Sequence, residues 1–156
     1  MIPERIESYL KARHLGFEHR LHHRTVPAQM LAAAEHVSGA RVAKTVVVSL
    51  DGSLAIAVVP ATEKVDLEAL ARATGSASVQ IVPEASFAER FWPCEPGAEP
   101  PLGLFGMPIY VEETLSAEPS LIMRGGTHED AISIDTSAWI SSEHVRLVKG
   151  LGIVRQ

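Results

Sequence analysis

Two apolar runs, Lys44–Leu50 and Ser53–Pro60, are separated by the pair Asp51-Gly52. A two-residue hairpin turn needs positive φ at its centre, which Asp-Gly tolerates, so the chain is expected to reverse there. Closing the hairpin at that pair sets Leu50 opposite Ser53, Val48 opposite Ala55, Val46 opposite Ala57 and Lys44 opposite Val59. Opposite residues share a face. One face therefore carries Lys44, Val46, Val48, Ala55, Ala57 and Val59, and the other carries Val47, Leu54, Ile56 and Val58. Neither is polar, so the pair is predicted to be central and covered on both sides. Lys44 is the exception. A buried, unpaired ammonium is very costly, so this lysine either lifts into water at the strand end or finds partners.

Around the hairpin the punctuation of the chain is legible. Pro3 opens a helix to about Leu15, with Ile6, Tyr9, Leu10 and His14 on one stripe, and Phe17–Leu21 is a short strand. Thr25 caps a helix over Pro27–His36. Asp66 caps another, "LEALARAT", stopped by Gly75. Pro83 starts a fourth, "PEASFAERF". Strands are expected at Val79–Val82, Pro108–Glu112, Leu121–Arg124, Ala131–Ile134 and His144–Lys149, with a short helix or turn near Thr136–Ser142. Helices and strands mix without strict alternation, which points to an α+β or mixed-sheet α/β domain. At 156 residues the chain is expected to form one domain, residues 1–156.

The hydrophobic share of 46% and charged share of 21% are those of an ordinary globular protein. Its start has no basic flank or apolar core of a signal peptide, and no apolar run approaches a membrane span. A single cysteine, Cys94, fits a reducing cytoplasm. The net charge of −5 argues against a general binder of DNA or RNA, though not against a local basic pocket.

Three clusters carry chemistry-bearing residues. The stretch "HRLHHR" holds His19, His22 and His23, which could form half of a metal site or lie as plain surface histidines; zinc needs three or four ligands and a second shell. The stretch "GGTHED" places His128 in a glycine-flanked turn, where it either binds and shuttles a proton or tips a solvated turn. The third is the run Pro93–Pro108, with five prolines and three glycines in sixteen residues. Loops of that length in compact domains are usually functional or disordered, and the prolines stiffen this one. Its backbone N–H groups, unclaimed by a ladder, could stabilise negative charge, or the loop could be a rigid connector. Cys94, at its entrance, lacks a local basic partner to lower its pKa. No Gly-x-Ser-x-Gly elbow, Walker loop or Gly-x-Gly-x-x-Gly is present. Two metal-free hydrolytic routes remain: a water held by polar groups, or a substrate that supplies its own hydroxyl.

The order "VAKTVVV", "LAIAVVP", "KVDLEALARATG", "GAEPPLG" and then a glycine pair before the last strands resembles the YbaK-type aminoacyl-tRNA deacylases. These are free-standing relatives of the editing domain inserted in bacterial prolyl-tRNA synthetases. The resemblance covers roughly Arg20 to Lys149. It is most specific at Lys44-Thr45 and at the Gly-x-x-x-Pro loop, matched by Gly97 and Pro101. It implies a mixed α/β domain whose curved, largely antiparallel central sheet is flanked by helices and has a pocket at its mouth. The implied activity is hydrolysis of the ester joining a wrong amino acid to the 3′ end of a tRNA, often a proline tRNA, with no metal or organic cofactor. Lys44 becomes the catalytic residue, gripping the terminal adenosine or its phosphate or organising the ester. Thr45, Gly97, Pro101, Gly103, Gly126, His128 and His22 become substrate-binding residues. Glu99, within the loop, either meets the substrate's α-ammonium or faces water. The acidic chain implies weak intrinsic tRNA affinity, or affinity supplied by a partner synthetase. The competing expectation is a non-catalytic module that holds an aminoacyl end or a small ligand.

Overall fold

The expected hairpin forms with the expected register. Strand β2 (Ala43–Leu50) pairs with β3 (Ser53–Pro60) so that Lys44 meets Val59, Val46 meets Ala57, Val48 meets Ala55 and Leu50 meets Ser53. Asp51 and Gly52 both take positive φ, 49° and 91°. The structure is a computed structural model that describes residues 1–22, 31–33, 35 and 37–154.

Both faces of the hairpin are buried, each in its own core. Val47, Ile56 and Val58 pack with Ile6, Leu10, Phe91, Leu121 and Trp139, while Val48, Ala55, Ala57 and Val59 pack with Leu70, Tyr110 and Leu151. Each large side chain so buried contributes roughly 1.5–3 kcal/mol. A one-residue slip would exchange the two sets, so the register is strongly specified.

The hairpin is the middle of a five-stranded sheet, β5-β2-β3-β6-β9, with β5 at Val79–Ile81, β6 at Ile109–Glu112 and β9 at Arg146–Val148. The sheet is mixed: β5 and β3 run antiparallel to β2, whereas β6 and β9 extend it in parallel. A second, antiparallel sheet has the order β1-β8-β7, from Phe17–Leu21, Asp130–Asp135 and Ser120–Arg124. A parallel bridge between Val42 and Ile122 joins the two sheets where β2 begins. Two further strands that sequence patterning did not reveal, β4 (Glu63–Val65) and β10 (Gly152–Val154), pair antiparallel.

Helix α1 (Glu4–Ala12) buries Ile6 and Leu10 in the first core. Helix α2 (Leu67–Thr74) starts at Asp66, whose carboxylate accepts from the Glu68 and Ala69 N–H groups, and ends at Gly75 with φ 72°. Helix α3 spans Thr136–Ser142. The expected helix from Pro83 to Phe91 is two short 3₁₀ turns, Glu84–Ser86 and Ala88–Phe91. Phe87 and Phe91 have helical spacing and pack edge to face at 5.5 Å, but Phe87 leaves the helical region with φ −129°, and the chain breaks there. Most of the expected helix over Pro27–His36, with Thr25 and His23, lies outside the described residues. No helix among the described residues is long and apolar enough to cross a membrane.

Candidate functional site

A cavity of about 180 Å³ opens where the two sheets meet. Ala43, Lys44 and Thr45 from the start of β2, Gly97 and Glu99 from the proline-rich loop, and Arg124 from the end of β7 line it, with Leu31 and Val42 as apolar wall. The bridge between Val42 and Ile122 explains the pairing of cations. In a parallel pair, moving two residues along each strand keeps the face and the level, so Lys44 and Arg124 arrive side by side.

Lys44 answers the question its sequence raised by finding a partner. It is half-buried, and its ammonium donates to the Glu63 carbonyl on β4. Beside it, burial and the Glu112 charge push the Glu63 carboxyl up, with Lys44 pulling the other way. Thr45, on the opposite face of the strand, has a buried hydroxyl with no hydrogen-bond partner among the described residues.

Several of the loop N–H groups expected to be free are paired. Pro96, Pro100 and Pro101 have none to give. The Gly97 N–H donates to both oxygens of the Glu99 carboxylate, at 3.1 and 2.9 Å. The Ala98 N–H goes to the Glu95 carbonyl and the Leu102 N–H to the Pro100 carbonyl, and the Gly103 N–H to Glu143 Oε1 at 2.7 Å. Buried N–H groups left unpaired cost free energy, and these are satisfied partly within the loop and partly by Glu143. Positive charge at the cavity is therefore carried by the Lys44 and Arg124 side chains.

Glu99 is 5% exposed, so it faces the cavity, not bulk water. Burial pushes its carboxyl above the usual range, against the pull of the Gly97 and Glu99 N–H groups; Glu84 adds to the rise and His128 opposes it. Burial lowers the Arg124 guanidinium to about 10, with the Glu99 charge working the other way. Burial, then Glu99, push the Cys94 thiol up to about 12. A thiol held protonated is a poor nucleophile.

The "GGTHED" turn braces the loop from behind. The Gly126 N–H donates to the Ala98 carbonyl and the Gly126 carbonyl accepts from Glu95, at 3.0 and 2.9 Å. The buried His128 ring sits 2.8 Å from the Pro96 carbonyl through Nε2, which fixes Nε2 as the protonated nitrogen of that contact. The His128 N–H donates to Glu95 Oε1 at 2.8 Å. Gly97 has φ 86°, and a Cβ there would stand 3.2 Å from the His128 ring.

Of the residues expected to bind substrate, the structure brings Thr45 and Gly97 to the cavity with Lys44. Pro101, Gly103, Gly126, His128 and His22 stand outside its described lining. The Pro101 carbonyl accepts from Trp139 Nε1 at 2.9 Å, and Gly103 abuts Tyr9 and Glu143, so both are anchors of the loop. The His22 N–H extends the β1–β8 ladder by donating to the Glu129 carbonyl at 2.9 Å. His19 pairs with Asp130, Nε2 to Oδ1, at 2.5 Å, and among the described residues no three His, Cys, Asp or Glu side chains converge as metal ligands. Arg124 was missed by sequence reasoning. Its only signal is a cation closing an apolar strand, "LIMR", just as Lys44 opens one.

A family model described as "Aminoacyl-tRNA editing domain" matches residues 22–141. No curated protein matches the sequence. Among solved structures, the hypothetical protein APE2540 superposes with a TM-score of 0.86 at 18% identity, over 96% of this chain and 100% of its own. A candidate trans-editing enzyme for prolyl tRNA synthetase superposes with a TM-score of 0.80 at 20% identity, over 93% of each chain. At such identities these likenesses speak for the fold.

Proposed function

The chain belongs to the aminoacyl-tRNA editing domain family, and on that premise we propose that it is a deacylase, hydrolysing the ester between a wrong amino acid and the 3′ end of a tRNA. We read residues 1–156 as one such domain, since α1 packs into the same core as the hairpin. A substrate of the proline-tRNA type is supported by the fold it shares with the candidate trans-editing enzyme for prolyl tRNA synthetase.

The observation that carries this reading is the convergence of Lys44, Thr45, Gly97 and Arg124 on one small cavity. An ester carbonyl docked there meets fixed positive charge in a partly dehydrated site, where such charge acts strongly on a developing oxyanion. Lys44 is anchored through the Glu63 carbonyl, so its charge is in place before the substrate arrives. Because the Gly97 and Ala98 N–H groups are already paired, Lys44 and Arg124 take the role of gripping the substrate's 3′ end and its carbonyl. Thr45 lines the same cavity, which places it beside the docked ester and the attacking water. An aminoacyl ester is already activated, so positioning a water, or the neighbouring ribose hydroxyl, is a sufficient contribution.

The test is a panel of mischarged tRNAs incubated with the wild-type protein and with Lys44→Ala. Release of amino acid from at least one proline-tRNA-type substrate, and a loss of at least about tenfold in the variant with its melting transition preserved, is the expected outcome. No release across the panel would overturn the deacylase reading. The spent loop donors favour one second reading, a module that holds the aminoacyl end without hydrolysis; there the protein would bind the charged end while the ester survives.

A further inference from the structure

Any aminoacyl ester brings an α-amino group two bonds from the carbonyl carbon under attack. A carbonyl held at Lys44 and Arg124 therefore carries that amine into the same cavity, where it needs an acceptor. Glu99 is the one carboxylate among the described residues that line it. Its two oxygens receive the Gly97 N–H, which leaves lone pairs for a further donor. That bond also fixes the carboxylate, so no reorganisation is needed when a cation arrives.

We propose that Glu99 recognises the α-ammonium of the bound aminoacyl group and makes the cavity selective for esters with a free α-amine. The inference rests on the aminoacyl-ester reading of this cavity. The titratable groups around Glu99 are Glu84, His128, Arg124 and the Cys94 thiol. Glu84 and Glu99 together favour a cation, and an incoming ammonium offsets the burial that opposes ionisation of Glu99. An acyl group without the amine brings no donor to this carboxylate. An N-blocked one also brings an uncharged amide where charge is needed.

The test uses two non-hydrolysable 3′-amides of adenosine, alanyl and propionyl, which differ only by the α-amine. Removing the amine adds no bulk, so a weaker propionyl analogue cannot be explained by a clash. Calorimetric titration of the wild-type protein is expected to find the propionyl analogue about tenfold to a hundredfold weaker, the range for a hydrogen bond to a charged group. Glu99→Gln keeps an oxygen for the Gly97 N–H and is expected to bring the two within about twofold, by loss of alanyl affinity. Equal affinities in the wild type, a preference that survives in Glu99→Gln, or no binding of the alanyl analogue would overturn the proposal. The wild-type comparison decides even if the variant does not fold. The mischarged-tRNA panel reads catalysis separately: release without an amine preference rejects Glu99 alone, and an amine preference without release rejects the deacylase alone.

Discussion

Thr45 and Glu99 share a property that folding alone does not reward, since each leaves a polar group in the interior at a cost. The Thr45 hydroxyl has no partner among the described residues, and an unsatisfied buried hydroxyl costs roughly 1–3 kcal/mol. Thr45→Val removes the hydroxyl at nearly constant shape. It is expected to raise stability by about 1 kcal/mol in denaturant melts while lowering deacylation several-fold. A variant both less stable and fully active would reject a functional role for the hydroxyl. Glu99 gives a pH signature. Its folded-state carboxyl is raised by burial, so the folded protein holds that proton to a higher pH than the unfolded chain. Stability tied to this group is present below the unfolded pKa and lost as pH rises through the folded one. The melting temperature of Glu99→Gln relative to wild type is therefore expected to increase from pH 4 to pH 8. A gap that is constant or that closes with rising pH would contradict it. Lys44 was legible from the hairpin alone as a cation in an apolar setting. Its partner was not, because Glu63 sits on a strand of three residues whose pairing with Gly152–Val154 spans most of the sequence.

The proline-rich loop shows how an element without a ladder is held. Its carbonyls and N–H groups are tied to Glu95, Glu99, Gly126, His128, Trp139 and Glu143, contacts that no local pattern foretells. Sequence reading expected the loop to be ordered. The family resemblance pointed to Gly97, Pro101, Gly103, Gly126 and His128 together. Of these only Gly97 lines the cavity, because neither resemblance nor periodicity says which side of a loop meets solvent, cavity or core. The same limit explains the Pro83–Phe91 turns, where apolar spacing suits a helix but Phe87 packs best off the helical path. The anchoring is testable at the contact between Trp139 Nε1 and the Pro101 carbonyl, which is buried. Trp139→Phe removes that donor and part of a fully buried ring. It is expected to cost about 2–4 kcal/mol, from the orphaned carbonyl and the cavity together. It is also expected to reduce activity by misplacing Gly97. His128→Ala, which removes the donor to the Pro96 carbonyl, is expected to cost about 1–3 kcal/mol. Chemical-denaturation midpoints measure both, and wild-type stability in either variant would show that the loop is held by its prolines alone.

At the scale of the whole molecule, the hairpin register decides the architecture. Two apolar faces demand two covering layers, and both were readable from Lys44–Pro60 because strand periodicity is local. A mixed sheet was expected, but which neighbours run parallel was not readable, since β6 and β9 join by long connections whose direction the pattern leaves open. What the assembled surface then does to a polyanion follows from charge. With 14 basic and 19 acidic side chains, the protein's net charge opposes a polyanion, and on the proposed reading the attraction comes from the cavity. Neutralising Z phosphates of a single strand gives log K a slope near −0.7Z against log salt. If Lys44 and Arg124 are the cations that meet the 3′ end, the slope is about −1.4, so raising salt from about 50 to about 200 mM lowers kcat/KM roughly sevenfold. A body that gripped the double-helical acceptor stem with six or more contacts would give about −5 and a loss of about a thousandfold or more. Lys44→Ala and Arg124→Ala should each flatten the slope by about 0.7. A steep slope in the wild-type protein, unchanged by either substitution, would place the tRNA on a surface other than this cavity and remove the electrostatic basis for a substrate held by its end.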